Sequence, residues 1–229
     1  MTIESNRLSP NYIIVEIINV KDELTVDQLK LITSVLNQGG VIVYPTDTSY
    51  GMGADWQNNK ALNKIFKIKG RNKDKNLPVI VSSKKMAKEY VVWNKAAEKL
   101  ANEFWPGALT IVLRIKSYEL RIKGSDNTLG VRIPDNKIAR QIVKALKRPL
   151  VSTSANIADY PSAYSLNEFQ EQFKNKKILP DIFVNAGSLK IKPASTVVDL
   201  SSSQIIIKRE SAVLAKNIFK LINGSSRVV

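Results

Sequence analysis

Apolar positions recur with two different periods along the chain, and the switches between them mark out its elements. Tyr12 to Val20 is rich in Ile and Val and predicts a strand. Thr25-Val26-Asp27-Gln28 has the spacing of a helical capping box. Val26, Leu29, Ile32 and Leu36 then fall on one helical face, which Gly39-Gly40 ends. Val41 to Tyr44 reads as a short buried strand stopped by Pro45, and Thr46 to Gly53 reads as a loop dense in hydroxyls and glycine. A second helix is predicted over Lys60 to Lys69, with Leu62, Ile65 and Phe66 on its apolar face. Pro78 to Val81 reads as strand, and helical patterns follow at Lys84 to Tyr90 and Ala96 to Phe104. After the turn Trp105-Pro106-Gly107, strands are expected at Leu109 to Ile115 and Thr128 to Ile133, the second closed by Pro134-Asp135. Ile138, Ile142, Val143 and Leu146 mark another amphipathic helix. Pro149 to Val151 runs as a brief strand into a second hydroxyl loop, Ser152-Thr153-Ser154-Ala155-Asn156. A capping box at Ser165 to Glu168, strands near Ile182, Thr196 and Ile205, and a helix from Ser211 to Ile222 complete the chain.

Strands and helices interleave with no repeat and no low-complexity linker, which predicts an α/β fold. The expectation is a single domain over residues 12–223, with a twisted mixed sheet and helices around it. Residues 1–11 and 224–229 are expected to be flexible tails.

Charge changes the picture. The 229 residues carry 35 Lys and Arg against 20 Asp and Glu, a formal charge of +15. That excess favours anionic partners such as nucleotides, RNA or a lipid surface, although a solvated lysine-rich surface gives the same count. There is no cysteine and no histidine. Thiol chemistry, Ser-His-Asp and Cys-His catalysis, and imidazole metal sites are therefore excluded. No apolar run reaches the ~20 residues a membrane span needs, and Met1 to Pro10 lacks a signal-peptide pattern. A cytoplasmic protein with no membrane partner is expected.

Neither G-x-x-x-x-G-K-[ST] nor G-x-G-x-x-G occurs, so any nucleotide is bound by another device. Lys69-Gly70-Arg71 is one candidate. Lys69 lies seven positions after Leu62 and shares its inward face, while Gly70 lets Arg71 approach the same place. Such a lysine either snorkels to solvent or sits at the mouth of a cavity. Equally, cations at a helix C-terminus offset its dipole. Two cations side by side on a cavity wall repel, so an empty site would be strained and loss of Lys69 would cost no stability without an anion. The two hydroxyl loops form the second candidate, because loops at strand ends are where open α/β sheets bind ligands. The competing reading is ordinary turn chemistry. Arg132 is the third: Leu129, Val131 and Ile133 share one strand face, and Thr128, Gly130 and Arg132 share the other. Arg132 and Arg209 are each either surface residues or anion forks.

Together these residues resemble the YrdC-like family of threonylcarbamoyl-adenylate synthases, in its single-domain form. The resemblance rests on Tyr44-Pro45-Thr46-Asp47-Thr48-Ser49-Tyr50-Gly51-Met52-Gly53, on Lys69-Gly70-Arg71, and on Trp105-Pro106-Gly107-Ala108-Leu109-Thr110. Gly130-Val131-Arg132-Ile133-Pro134, Ser152-Thr153-Ser154-Ala155-Asn156, Ser195-Thr196-Val197-Val198-Asp199 and Arg209 complete it. It implies a large positively charged cavity. It also implies synthesis of threonylcarbamoyl-AMP and pyrophosphate from L-threonine, bicarbonate or CO2, and ATP, for N6-threonylcarbamoyladenosine in tRNAs that read ANN codons. By resemblance Lys69 and Arg71 are catalytic and bind ATP together with Lys75, Thr128, Ser154, Asn156, Ser162 and Arg209. Thr48, Arg132 and Ser152 correspond to L-threonine contacts. Mg2+ is expected through the ATP phosphates and not on protein ligands. Expected partners are tRNA or double-stranded RNA and a downstream threonylcarbamoyl transferase complex. Ile80 or a neighbour stands where many members carry a histidine against the threonine side chain, and Ala158-Asp159 replaces a common Ser-Gly. The alternative is a non-catalytic RNA-binding module.

Overall fold

The computed structural model describes residues 15–71, 77–117 and 127–223. The first strand, β1 (Glu16–Asn19), leads to α1 (Val26–Asn37). Both halves of the capping box form: Thr25 Oγ1 accepts from the Gln28 amide at 3.2 Å, and Gln28 Oε1 accepts from the Thr25 amide at 3.0 Å. The apolar face of α1 places Ile32 and Leu36 in the core. β2 (Ile42–Pro45) and β3 (Tyr50–Gly53) pair antiparallel. The second half of the first hydroxyl loop is thus a strand. Next come α2 (Asn59–Lys69), β4 (Val79–Ile80), α3 (Lys84–Tyr90) and α4 (Lys95–Phe104). α2 ends at Gly70, whose φ of 63° is left-handed, a conformation glycine adopts without a Cβ clash.

β5 (Leu109–Arg114), β6 (Thr128–Arg132) and α5 (Lys137–Leu146) follow. β7 (Leu150–Val151) and β8 (Thr153–Ser154) are separated by Ser152 alone. The chain ends its described part with α6 (Leu166–Phe173), β9 (Ile182–Asn185), β10 (Thr196–Asp199), β11 (Ile206–Arg209) and α7 (Ala215–Asn223). The cap of α6 is half a box. Ser165 accepts from the Glu168 amide, but the Glu168 carboxylate takes the Tyr164 amide instead.

The one twisted sheet expected from sequence is two mixed sheets. One has the order β1-β9-β2-β3-β8 and the other β11-β10-β5-β6-β4-β7. The chain crosses from the second to the first at Ser152. The sheets also approach each other at Gly53, where a Cβ would lie 2.5 Å from the Val151 carbonyl oxygen and 2.7 Å from the Tyr44 ring. No larger residue fits there. Two apolar layers flank this junction. One gathers Ile32 and Leu36 with Ile138, Ile142 and Val143 of α5. The other gathers Leu62, Ile65 and Ile68 of α2 with Met52, Val131 and Phe183.

α5 ends on exposed Lys147 at φ 58°. A non-glycine residue in this region costs about 1–2 kcal/mol, part of which glycine returns through the entropy of the unfolded chain. Lys147→Gly is therefore expected to stabilise the protein by about 0.5–1 kcal/mol, read as a higher urea midpoint at unchanged slope. An unchanged or lower midpoint would show that Lys147 makes a compensating contact.

Candidate functional site

Where the sheets meet, the chain encloses a cavity of about 600 Å³. One wall comes from β5, β6, β10 and β11 (Thr110, Thr128, Gly130, Arg132, Val197, Lys208, Arg209). The facing wall comes from the two hydroxyl loops (Thr46, Thr48, Ser49, Ser152, Thr153, Ser154). Arg71, Ser162 and Lys192 also line it. Among the described residues, the lining holds five cationic side chains and no carboxylate. Alternation along β6 explains part of this. Leu129 and Val131 enter the apolar core, which leaves Thr128, Gly130 and Arg132 on the cavity side.

The first hydroxyl loop is fixed from within. Thr46 Oγ1 accepts from the Thr48 amide at 3.1 Å and the Ser49 amide at 3.3 Å, and donates to the Ser49 carbonyl at 2.7 Å. Thr48 is thereby turned to the cavity. Below it, Tyr44 is fully buried and donates to the Val151 carbonyl at 3.3 Å. Burial pushes its phenol pKa up, against a smaller opposing pull from Ser152 and the Arg132 charge, so it stays neutral.

Lys69 is turned inward, but it neither snorkels nor faces the cavity. Its Nζ donates to the Ser154 carbonyl at 2.5 Å, the Asn156 carbonyl at 2.8 Å and Asn156 Oδ1 at 3.0 Å. Three ammonium hydrogens meet three acceptors. The ammonium therefore ties the last turn of α2 to the second hydroxyl loop. Burial, with the Arg71 charge adding to it, pulls the Lys69 pKa down from 10.5 to about 8. These acceptors make the lysine a tether in the ligand-free chain, which sets a stability cost of its loss against the relief of strain expected from sequence. Asn156 is likewise spent internally. Its Nδ2 donates to the Ile157 carbonyl at 2.9 Å and the Tyr160 carbonyl at 2.6 Å, and its Oδ1 also accepts from Ser154 Oγ. Lys69 and Asn156 thus lie behind the lining, in which Ser154 and Arg71 stand.

Arg132 is buried, and its guanidinium is held at two corners. Nε donates to the Gly107 carbonyl at 2.8 Å, and Nη2 meets Asp47 Oδ1 at 2.5 Å. Arg209 lies against the next strand. Its Nε donates to the Ser195 carbonyl at 2.8 Å and its Nη2 to Ser195 Oγ at 3.1 Å, while Ser195 Oγ is 3.1 Å from Thr110 Oγ1. Partial burial and the nearby Arg132 charge lower the Arg209 pKa below the usual guanidinium range. Two guanidinium groups thus face one cavity, that of Arg132 paired with Asp47 and that of Arg209 held by the Ser195 carbonyl and hydroxyl.

Of the residues singled out from sequence, Thr48, Arg71, Thr128, Arg132, Ser152, Ser154, Ser162 and Arg209 meet in this one lining. Lys75 lies outside the described residues, as do both expected tails. Ile80 is buried and forms part of the floor beside its register partner Arg132. Sequence reasoning assigned no role to Asp47, Tyr44, Thr110, Lys192 or Lys208. Tyr44, Asp47 and Thr110 stood in the motifs that carry the resemblance, Asp47 as an acid inside a hydroxyl loop, and Lys192 and Lys208 carried no signal. Asp159 adopts φ 67°, in the left-handed region that favours glycine. Among the described residues no three His, Cys, Asp or Glu side chains gather as a metal site, and no helix is long and apolar enough to cross a membrane.

This combination of two mixed sheets and a cationic, hydroxyl-lined junction defines a mixed α/β protein with a polar cavity between its sheets. The Sua5/YciO/YrdC family model, described as telomere recombination, matches residues 34–211, and the chain belongs to that family. A threonylcarbamoyl-AMP synthase of Pyrococcus abyssi is 32% identical over 217 residues, which are 93% of this chain and 62% of that protein. The chain thus spans less than two thirds of that relative. A Methanocaldococcus jannaschii relative is 31% identical over 200 residues, covering 87% of this chain and 93% of its own. The crystal structure of P. abyssi Sua5 complexed with L-threonine superposes with a TM-score of 0.81 at 31% identity, over 93% of this chain and 62% of that one.

Proposed function

We propose that this chain is an L-threonylcarbamoyladenylate synthase. It condenses L-threonine, bicarbonate and ATP to threonylcarbamoyl-AMP, pyrophosphate and water. The product then goes to a threonylcarbamoyl transferase complex for tRNA modification in the cytoplasm. The observation that carries this reading is the cavity at the sheet junction, where Arg71, Arg132 and Arg209 face the hydroxyls of Thr48, Ser152, Ser154 and Ser162 with no carboxylate among the described lining residues. Its volume of about 600 Å³ suits a nucleotide together with a small amino acid. The likeness to P. abyssi Sua5, whose complex contains L-threonine, supports the choice of amino acid.

In this reading Arg132, Thr48 and Ser152 hold the threonine. Arg71, Arg209, Thr128, Ser154, Ser162 and Lys75 hold ATP. Lys69 and Asn156 act through the loop they fix, which carries Ser154. The threonine ammonium and bicarbonate give a carbamate, one water and one proton. A carbamate oxygen then bonds to the α-phosphorus, and the bond from that phosphorus to the αβ-bridging oxygen breaks, so pyrophosphate leaves with the electron pair. No protein nucleophile is required. The chain contributes positioning and charge neutralisation, which suits a protein without histidine or cysteine. Mg2+ would be held by the phosphates, because the described residues of the lining offer it hydroxyls and no carboxylate. There it would neutralise charge on the triphosphate.

Pyrophosphate release is expected only when L-threonine, bicarbonate, ATP and Mg2+ are all present, with threonylcarbamoyl-AMP identified by mass spectrometry. Equal release without an amino acid would make the protein an ATPase. The formal charge of +15 favours a second reading, a non-catalytic RNA-binding module. That reading requires salt-sensitive RNA binding and no pyrophosphate under the same conditions.

A further inference from the structure

Asp47 is a charged neighbour of the cavity whose partner is a buried lining cation, Arg132. It stands between Thr46 and Thr48, which both line the cavity, and its side chain is 8% exposed against 10% for Arg132. Its Oδ1 lies 2.5 Å from Arg132 Nη2. A guanidinium has five N–H donors in a rigid plane. Gly107, in the turn after α4, takes Nε, and Asp47, from the loop between β2 and β3, takes one hydrogen of Nη2. Two contacts from two separate segments fix both the position and the tilt of that plane. With Nε tied to a backbone carbonyl, the side-on Nε–Nη2 edge cannot receive a carboxylate. An incoming carboxylate must dock on hydrogens of Nη1 and Nη2.

We propose that Asp47 is a positioning residue for the amino-acid subsite. It clamps Arg132 so that the remaining guanidinium donors meet the α-carboxylate of the substrate in one orientation. This deepens the synthase reading and rests on it. Asp47 has no direct part in holding the nucleotide. The pair is also electrically neutral, so the subsite suits a zwitterionic amino acid and leaves polyanion binding to Arg71 and Arg209. Without the carboxylate, Arg132 keeps its charge but gains freedom to swing about the Gly107 contact, and a fixed receptor becomes a mobile one.

The test measures L-threonine and ATP binding separately, by titration calorimetry on wild type, Asp47→Asn and Asp47→Glu, with circular dichroism to establish that each is folded. Asp47→Asn is expected to weaken L-threonine about tenfold or more, on the scale of one charge-assisted hydrogen bond lost, while ATP affinity changes less than about threefold. Asp47→Glu keeps the charge and is expected to recover most of the threonine affinity. A merely structural role would weaken both ligands together, or leave Asp47→Glu as poor as Asp47→Asn, and either result overturns the proposal. Equal threonine affinity in wild type and Asp47→Asn overturns it as well. Wild type that binds no L-threonine contradicts the synthase reading instead. If Asp47→Asn does not fold, Asp47→Ser takes its place in the same comparison, with the same outcomes for and against the clamp.

Discussion

Lys69→Ala is expected to lower the stability of the ligand-free protein and to slow turnover by roughly 100-fold, the scale of misplacing one group in a preorganised site. Two effects oppose each other. Removing a buried ammonium relieves desolvation and the repulsion from Arg71, the two causes that pull its pKa to about 8. Against this, truncation strips the Ser154 and Asn156 carbonyls of a charged donor and empties the space of a buried aliphatic stem. A hydrogen bond to a charged group is worth about 1.5–3 kcal/mol, and each buried methylene about 0.8 kcal/mol. The losses outweigh the relief, for a net cost of about 2 kcal/mol. In a chain of this size that lowers Tm by about 4–8 °C. Lys69→Met keeps the stem and separates the two contributions, so its cost is expected to be smaller. Thermal melts of the three proteins without ATP decide the sign, and variants as stable as wild type would return Lys69 to the role of a bare anion-binding cation.

The same lysine gives a pH signature. Its folded pKa of about 8 lies below the unfolded 10.5, so between these values the unfolded chain binds more protons than the folded one. Stability contributed by Lys69 therefore rises with pH across that window and is flat below it. Buried Tyr44, whose pKa is raised, works in the opposite direction at the alkaline end, where ionisation favours unfolding. Subtracting Lys69→Met from wild type cancels the tyrosine. That difference in unfolding free energy should grow from pH 8 toward 10, and a flat difference would mean that Lys69 keeps its ordinary pKa.

Much of this architecture was legible in the sequence because it is encoded locally. The Thr25–Gln28 box, the Leu62, Ile65 and Phe66 stripe that carries Lys69 inward, and the alternation that turns Arg132 away from the core each depend on residues a few positions apart. β3 and β8 were hidden. Tyr50–Gly53 has glycine at every second position and so no alternation of side chains, and Thr153–Ser154 is too short to carry a period. Their strand character comes from pairing with β2 and with each other. The division into two sheets was hidden for the same reason, since it turns on the single residue Ser152. The contacts that give the site its geometry are further still beyond local reach. Lys69 finds Asn156 across 87 positions and Arg132 finds Asp47 across 85. Composition brought these residues to notice as charges and hydroxyls. Which of them would face the cavity and which would lie behind it was decided by tertiary pairing.

Arg132→Lys is expected to weaken L-threonine by about 2–5 kcal/mol, the range for losing a buried charge-assisted pair, and to change ATP affinity only a few-fold. The variant conserves charge, so a site that needed only a cation would tolerate it. An ammonium, however, is a point charge with three donors on a flexible stem, whereas the guanidinium is a planar fork. In this site the fork reaches the Gly107 carbonyl at 2.8 Å and Asp47 at 2.5 Å and still has donors left. A lysine drawn to Asp47 could not also reach Gly107 and present a second pair of donors to a carboxylate. The protein itself should remain folded, because Asp47 keeps a counter-charge. Arg132→Met provides the contrast: it leaves the buried Asp47 carboxylate unpaired, which is expected to cost about 3–5 kcal/mol of stability. Calorimetric titration with each ligand, beside a urea unfolding curve for each variant, separates the two roles. Threonine affinity unchanged in Arg132→Lys would remove Arg132 from the amino-acid subsite and leave it as half of a structural ion pair.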